Sequence, residues 1–212
     1  MTDVVVFDIG GVLVPEGNRM EQLQEFLVSH VGEFDRDAFK TAYWDHRDDY
    51  DLGLSDSLFW SPVLDAAGVD ANGAVIELAA EKDASLNSQI AREPLQLVKD
   101  LVATGVPLGI LSNAPRRMAE QVRQSEWASN FSHLLFSSDH GIKKPDATIY
   151  AHVQNQFSGV ESPIFHFFDD REVNVIGANE AGWQGHLWTS SEQARDVLQD
   201  HDVISKNNPK GK

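Results

Sequence analysis

Two kinds of apolar pattern alternate along the chain. Short runs of β-branched or aromatic residues, with no polar partner every second position, read as strands buried on both faces of a parallel sheet. They are Val4–Phe7, Val106–Leu111, Leu134–Ser137, Ile164–Phe168 and Gly185–Thr189. Between them the apolar spacing changes to that of helices. In "EPLQLVKDLVATG", Pro94 sits in the first turn, Leu97, Val98 and Leu101 share a face, and Gly105 ends the segment. "RRMAEQVRQ", "DATIYAHVQNQF", "EVNVIGANEAG" and "SEQARDVLQD" follow the same habit. Strand and helix in alternation predict a doubly wound, Rossmann-like α/β sheet of about five parallel strands.

One stretch departs from the alternation. From Pro15 to Gln89 no strand run occurs, and "MEQLQEFLVSHV" places Met20, Leu23, Phe26, Leu27 and Val31 at helical spacing. "DAFKTAYW", "DSLFWSPVLDAAG" and "GAVIELAAEK" continue it. The expected organisation is a core of residues 1–14 and 90–212 with a helical cap of residues 15–89 inserted after the first strand. Tyr43, Trp44, Phe59 and Trp60 are expected to pack inside that bundle. Asp45, Asp48, Asp49 and Asp51 read as a solvated acidic face.

Composition narrows the function classes. The 212 residues include no cysteine, which excludes disulfides, thiolate catalysis and zinc–thiolate sites. The net charge of −16 disfavours nucleic-acid and anionic-membrane partners. No secretory pattern precedes Asp8 and no apolar run is long enough to span a bilayer, so a cytoplasmic protein is expected. The basic tail "SKNNPKGK" reads as a frayed end.

Ligands of doubly wound sheets gather beyond the carboxyl ends of the strands. The first strand ends in Asp8, followed by Ile9, Gly10 and Gly11; the second ends in Ser112 and Asn113. The third leads through "SSDHGIKKPDATIY" to Lys143, Lys144 and Pro145, and the fourth ends in Asp169 and Asp170 with Asn174 a turn later. Crowded carboxylates call for a hard divalent cation, and oxygen ligands beside a phosphate favour Mg²⁺. A hydroxyl, amides and a lysine suit phosphoryl oxygens. Asp8 is placed to attack phosphorus and form an aspartyl-phosphate. The two glycines are expected to let the backbone pass close to the metal and phosphate, where a Cβ would intrude. His166, inside an apolar strand, reads as a structural histidine.

These four strand-end motifs, in this order and with the inserted helices, resemble the haloacid dehalogenase superfamily. "GIKKPD" and "FFDDREVNVIGANEAG" are most similar to its capped phosphatases, among them bacterial α-D-glucose-1-phosphate phosphatases and the phosphatase domain of soluble epoxide hydrolase. The resemblance implies Asp8 as nucleophile and metal ligand, with the Gly10 carbonyl also on Mg²⁺. Ile9, Gly10, Ser112, Asn113 and Lys144 would hold the phosphoryl oxygens. Asp170 would be the remaining direct ligand, and Asp169 and Asn174 would orient Lys144 and the water at the metal. From the residues themselves, His46 or Arg47 of the cap is expected either to reach over the site and read the substrate or to sit in surface ion pairs with the neighbouring acids.

The departure is Gly10, where most family phosphatases place a carboxylic acid that protonates the leaving oxygen. Losing a general acid costs roughly 10²–10⁴-fold. The expectation is therefore a phosphatase for a small phosphorylated metabolite such as a sugar phosphate, favouring activated esters or using His46 or Glu16 as the acid. A slow phospho-ligand-binding or regulatory protein is the alternative, and a metal-independent dehalogenase the third.

Overall fold

The computed structural model describes residues 1–205; of the basic tail, residues 206–212 lie outside the described residues. The chain forms β1 (Thr2–Phe7), then four helices, α1 (Arg19–Val31), α2 (Arg36–Asp51), α3 (Asp56–Ala66) and α4 (Gly73–Asn87). It continues through α5 (Arg92–Thr104), β2 (Leu108–Ser112), α6 (Arg116–Gln124), β3 (His133–Phe136) and a single turn, α7 (Ser137–His140). The last elements are α8 (Ala147–Gln156), β4 (Pro163–Asp169), α9 (Glu172–Glu180), β5 (Gln184–Leu187) and α10 (Ser191–Asp200). All five strands are parallel in the order β3-β2-β1-β4-β5, so the chain reverses direction across the sheet beside β1.

Alternation within each strand feeds two cores. Val5, Phe7, Ile110 and Phe168 face α5, α6 and α10, while Val4, Val6, Leu111, Phe165 and Phe167 face α8 and α9. Burial on both faces is why these strands carry unbroken apolar runs. Strand ends differ from the expected ones by a residue or two, with a local cause at β2. Pro107 has no N–H, and its carbonyl accepts from Val5 N at 3.0 Å, so the regular ladder starts at Leu108. Ser137 leaves β3 to begin α7, a turn absent from the apolar pattern.

Helices α1–α4 bury a separate apolar cluster around Phe39, Tyr43, Tyr50, Phe59 and Trp60, with the Tyr50 and Phe59 rings stacked 4.0 Å apart. Trp44 is the exception to the expected packing, at 57% exposed. It follows Tyr43 by about 100° of helical rotation, which takes it off the bundle face. Asp51 is likewise not part of a solvated face. It is buried, turned inward with Arg47 four residues earlier, while Asp45, Asp48 and Asp49 are exposed.

The cap is fastened to the sheet domain by polar contacts. Arg117 of α6 reaches Asp56 Oδ2 at 2.7 Å and Glu77 Oε1 at 2.7 Å, and Lys143 pairs with Asp48 at 2.7 Å. At the hinge, Ala91 N donates to Leu13 O at 2.9 Å, holding the two connecting strands of chain side by side. No helix among the described residues is long and apolar enough to cross a membrane.

Gly177 of α9 packs where a Cβ would lie 2.9 Å from Pro145 Cβ and 3.0 Å from both Pro145 O and Tyr150 Oη. Alanine gains about 1 kcal/mol of helix propensity over glycine, but here it must push the rigid loop that carries Lys144. Gly177→Ala is therefore expected to lower stability by roughly 1–3 kcal/mol. A urea midpoint equal to or above that of the parent protein would show that the loop yields freely.

Candidate active site

Asp8 stands at the first polar position after β1 because its strand is the centre of the sheet. Phe7 still pairs with both Ile110 and Phe168, and Asp8 N donates to Phe168 O at 2.9 Å. The chain then folds back in a tight loop, with Val12 N and Val14 N donating to Ile9 O at 3.2 and 2.8 Å. The Ile9 side chain is buried in the core, so only its backbone is available to a ligand.

The two glycines of this loop have different reasons. Gly11 has φ +73°, and a Cβ there would overlap the Asp170 carboxylate. At Gly10 a Cβ would meet nothing within 4 Å. Among the protein's own atoms, only Gly11 has a neighbour that excludes a Cβ.

Lys144 is buried and its ammonium has three partners: Asp169 Oδ2 at 2.6 Å, Asp8 Oδ1 at 3.0 Å and Leu111 O at 3.0 Å. Its backbone is clamped too. Lys144 N donates to Asn113 Oδ1 at 2.8 Å and Asn113 Nδ2 donates back to Lys144 O at 3.1 Å. Asn113's side chain is thereby committed to holding the lysine loop. Ser112 is buried at the end of β2, and its hydroxyl favours the charged form of the Asp8 carboxyl.

The two neighbouring aspartates occupy unlike places. Asp169 is sealed, accepting from Lys144, from Arg171 N at 2.9 Å and from Asn174 Nδ2 at 2.9 and 3.1 Å. Asp170 is half-buried and faces a cavity of about 150 Å³, which Asp8, Gly10, Asn113, Lys144 and Asn174 also line. One oxygen each of Asp8, Asp169 and Asp170 come within 4.8 Å of one another.

Electrostatics follows from this crowding. Burial, opposed by Lys144 and reinforced by Asp169, pushes the Asp8 carboxyl from its ordinary 3.8 up to about 6. Burial and then the Asp169 charge raise Asp170. Burial alone would pull Lys144 down, but Asp169 and Asp8 outweigh it and hold its ammonium more firmly charged than usual. Asp8 Oδ1 and Asn174 Oδ1 are buried acceptors without a hydrogen bond of good geometry. Three carboxylates against one lysine, with open oxygen valences, fit a divalent cation.

The roof of the cavity comes from the cap. Arg47 lines it, bonded to Asp51 Oδ1 at 2.7 Å and to Tyr43 Oη, with Asp83 Oδ2 3.6 Å away. His46 lies outside the lining, whereas Glu16 is part of it. Arg19, Tyr43, Trp44, Asn87 and Arg171 also line the cavity and were not singled out as site residues from sequence. Asp83, behind them, takes a bond from Tyr43 Oη at 2.8 Å. A signal for it existed: Asp83 interrupts the buried stripe of Val75, Ala79, Ala80 and Ala84 in α4.

Fold and strand-tip cluster together define a class, the capped α/β enzymes that gather carboxylates and a lysine at the switch point of a parallel sheet. Residues 2–182 match the haloacid dehalogenase-like hydrolases, and the chain belongs to that family. It is similar to a sesquiterpene phosphatase of Aspergillus oryzae, 31% identical over 106 residues that make up 49% of this chain and 53% of that protein. The chain spans about half the length of the curated relatives it matches. Among solved structures, a family enzyme of Bacteroides thetaiotaomicron in complex with magnesium and inorganic phosphate is 16% identical, with a TM-score of 0.65 over 90% of this chain and 96% of that one. A 2-haloacid dehalogenase of Pseudomonas syringae pv. Tomato is 18% identical, with a TM-score of 0.64 over 95% of this chain and 100% of that one. At such identities the two speak for the shared fold.

The raised Asp8 carboxyl has a stability consequence in the metal-free protein. Its folded value lies above its unfolded one, so the stability it contributes is full below pH 3.8 and is lost as pH rises through about 6. Asp8→Asn removes that loss. At pH 7 without divalent metal the variant is expected to be more stable than the parent by on the order of 1 kcal/mol, a few degrees of Tm. The gap should shrink towards pH 4, as followed by thermal melts in EDTA. A variant that melts lower at pH 7 would contradict this balance of charges.

Proposed function

We propose that the chain is a Mg²⁺-dependent phosphomonoesterase of a small, polar phosphorylated metabolite, acting through Asp8. The observation that supports it is the buried Asp8–Lys144–Asp169 cluster, with Asp170 opening beside it onto a small cavity. The Asp8 carboxylate, ionised at neutral pH, attacks phosphorus. The phosphorus–oxygen bond to the leaving group breaks, and the electron pair departs with that oxygen. Water then attacks the aspartyl-phosphate, breaks its phosphorus–Asp8 bond and returns the carboxylate. Lys144 steadies Asp8 and faces the charge of the transferring group, while Ser112 and the backbone after Asp8 offer donors to its oxygens. Asp8, Asp170 and the Gly10 carbonyl would hold the Mg²⁺, which when bound supplies charge neutralisation at the phosphoryl oxygens. Asp169 and Asn174 position Lys144 from behind.

The cavity favours a polar substrate. Its roof of Arg19, Tyr43, Arg47 and Asn87 presents hydrogen-bonding groups suited to hydroxyls, as in a sugar phosphate. Trp44 and Met118 give the same wall an apolar side, and an adjoining cavity of about 190 Å³ continues it over Met20 and Leu23. A metal-independent dehalogenase reading leaves the Asp170 carboxylate, raised by burial and by Asp169, without a partner.

Gly10 sets the leaving-group preference. With no acid at that position, aryl and anomeric phosphates are expected to be hydrolysed far faster than simple alkyl phosphates, and Asp8→Asn to abolish both activities. Metal-dependent phosphate release from an aryl ester checks the first point. Absence of turnover together with stabilisation by inorganic phosphate would favour a phospho-ligand binder instead.

The open space at Gly10 permits a direct restoration. Gly10→Asp has room for its Cβ, and it is expected to raise alkyl phosphate turnover by roughly 10²–10⁴-fold while changing aryl phosphate turnover much less. Equal acceleration of both ester classes, or none, would show that another group already donates the proton. Glu16→Gln is then the variant to compare.

A further inference from the structure

A second cluster of ligating side chains lies away from the carboxylates, on the opposite stretch of the sheet. His166 of β4 and His186 of β5 stand on the face covered by α10, and His201 caps the end of that helix above them. One nitrogen from each ring lies within 4.8 Å of the other two. His166 Nδ1 and His186 Nε2 are 3.2 Å apart. Two imidazole nitrogens about 2.0–2.1 Å from a tetrahedral Zn²⁺ are separated by roughly 3.4 Å, so this pair already has the edge length of such a site.

The orientation of His166 supports the same use. Its Nε2 faces Asp3 Oδ1 at 3.2 Å, and a carboxylate there can only accept, so the ring proton is assigned to Nε2. That leaves the Nδ1 lone pair directed at His186. A ligating histidine held by a carboxylate through its other nitrogen is the usual outer arrangement of metal sites. Beside it, Gln184 pairs with His166 across the ladder, and its Oε1 is buried without a partner. His166 is buried, His186 half-buried and His201 exposed, giving an ion a path from solvent over α10.

We propose that His166, His186 and His201 form a binding site for a transition metal ion of the Zn²⁺ or Co²⁺ type, with Asp3 positioning His166. Imidazole donors suit such ions, whereas the oxygen-only cluster at Asp8 suits Mg²⁺. Bound there, the ion would tie α10 to β4 and β5. The site does not depend on the phosphatase reading.

The test is a Co²⁺ and Zn²⁺ titration of the full chain with Mg²⁺ in excess, followed by the visible absorption of Co²⁺ and by thermal melts. The parent protein and Asp170→Asn are each expected to bind one Co²⁺ per chain, and Zn²⁺ at about 100 times Kd should raise Tm by roughly 5–10 °C. His186→Ala should lose the absorption band. Asp3→Asn should weaken binding by about 10–100-fold. Because His201 is exposed, His201→Ala keeps the fold and should weaken binding at least tenfold. Unchanged binding in His201→Ala, loss of binding in Asp170→Asn, or no binding by the parent would overturn the assignment.

Discussion

One ammonium group makes the strand-tip cluster possible. Asp8 and Asp169 lie on adjacent strands, buried and close enough to repel, and Lys144 sits between them. Removing the lysine would leave two uncompensated carboxylates in the interior, which costs about 3–5 kcal/mol. The fold therefore invests backbone as well as side chain in placing this lysine. Leu111 O holds its Nζ and the Asn113 carboxamide holds both its N–H and its carbonyl, so the tip of β2 grips Lys144 from two ends. Tyr150 and Asn174 close the other side, since Tyr150 Oη donates to Asn174 O and Asn174 Nδ2 bonds Asp169. The constellation is rigid before any ligand arrives.

A buried hydrogen-bonded joint links this cluster to the cap, beside the outer ion pairs. Ala114 N, just beyond β2, donates to Ser137 Oγ, and that hydroxyl in turn donates to the backbone carbonyl of Asp51. Asp51's carboxylate holds Arg47, and Arg47 meets Tyr43 and Asp83. A continuous polar path therefore runs from the sheet floor to the cavity roof. Around it the cap is apolar and aromatic, which raises the energetic consequence of each unsatisfied group along the path.

Much of this was legible in the sequence, for a physical reason. Strands buried on both faces need unbroken apolar runs, and the first polar residue after each run falls at the open edge of the sheet. Hence Asp8, Ser112, Asp169 and Asp170 could be read directly as neighbours, whereas Lys144, well past the end of β3, was placed among them by the resemblance of "GIKKPD". The roof was not legible in that way. Tyr43 looks like core and is core, yet its hydroxyl is at the cavity; Asp51 looks solvated among acidic neighbours, yet faces inward. Helical periodicity ranks faces by apolarity and cannot show that a buried polar network shares the apolar face. The difference between Gly10 and Gly11 was hidden for a related reason, since adjacent glycines look alike until the neighbour of each missing Cβ is known.

Charge at two scales completes the account. The chain as a whole carries −16, which disfavours any phosphate approaching from a distance. That field is screened beyond about 8 Å at physiological ionic strength, so what decides binding is the cavity itself. Its lining is balanced, with four carboxylates and four basic side chains. The excess negative charge sits directly behind the lining, in Asp83 and Asp169, both buried. Two buried carboxylates beyond neutrality match one divalent cation, and under the proposed function such a cation would turn the pocket from indifferent to attractive for a phosphate dianion. Metal and substrate would then be interdependent ligands, because the cation would relieve the repulsion that raises Asp8 and Asp170. Acidity that would discourage a phosphate-binding protein at its surface would, at this one strand edge, make binding conditional on the metal.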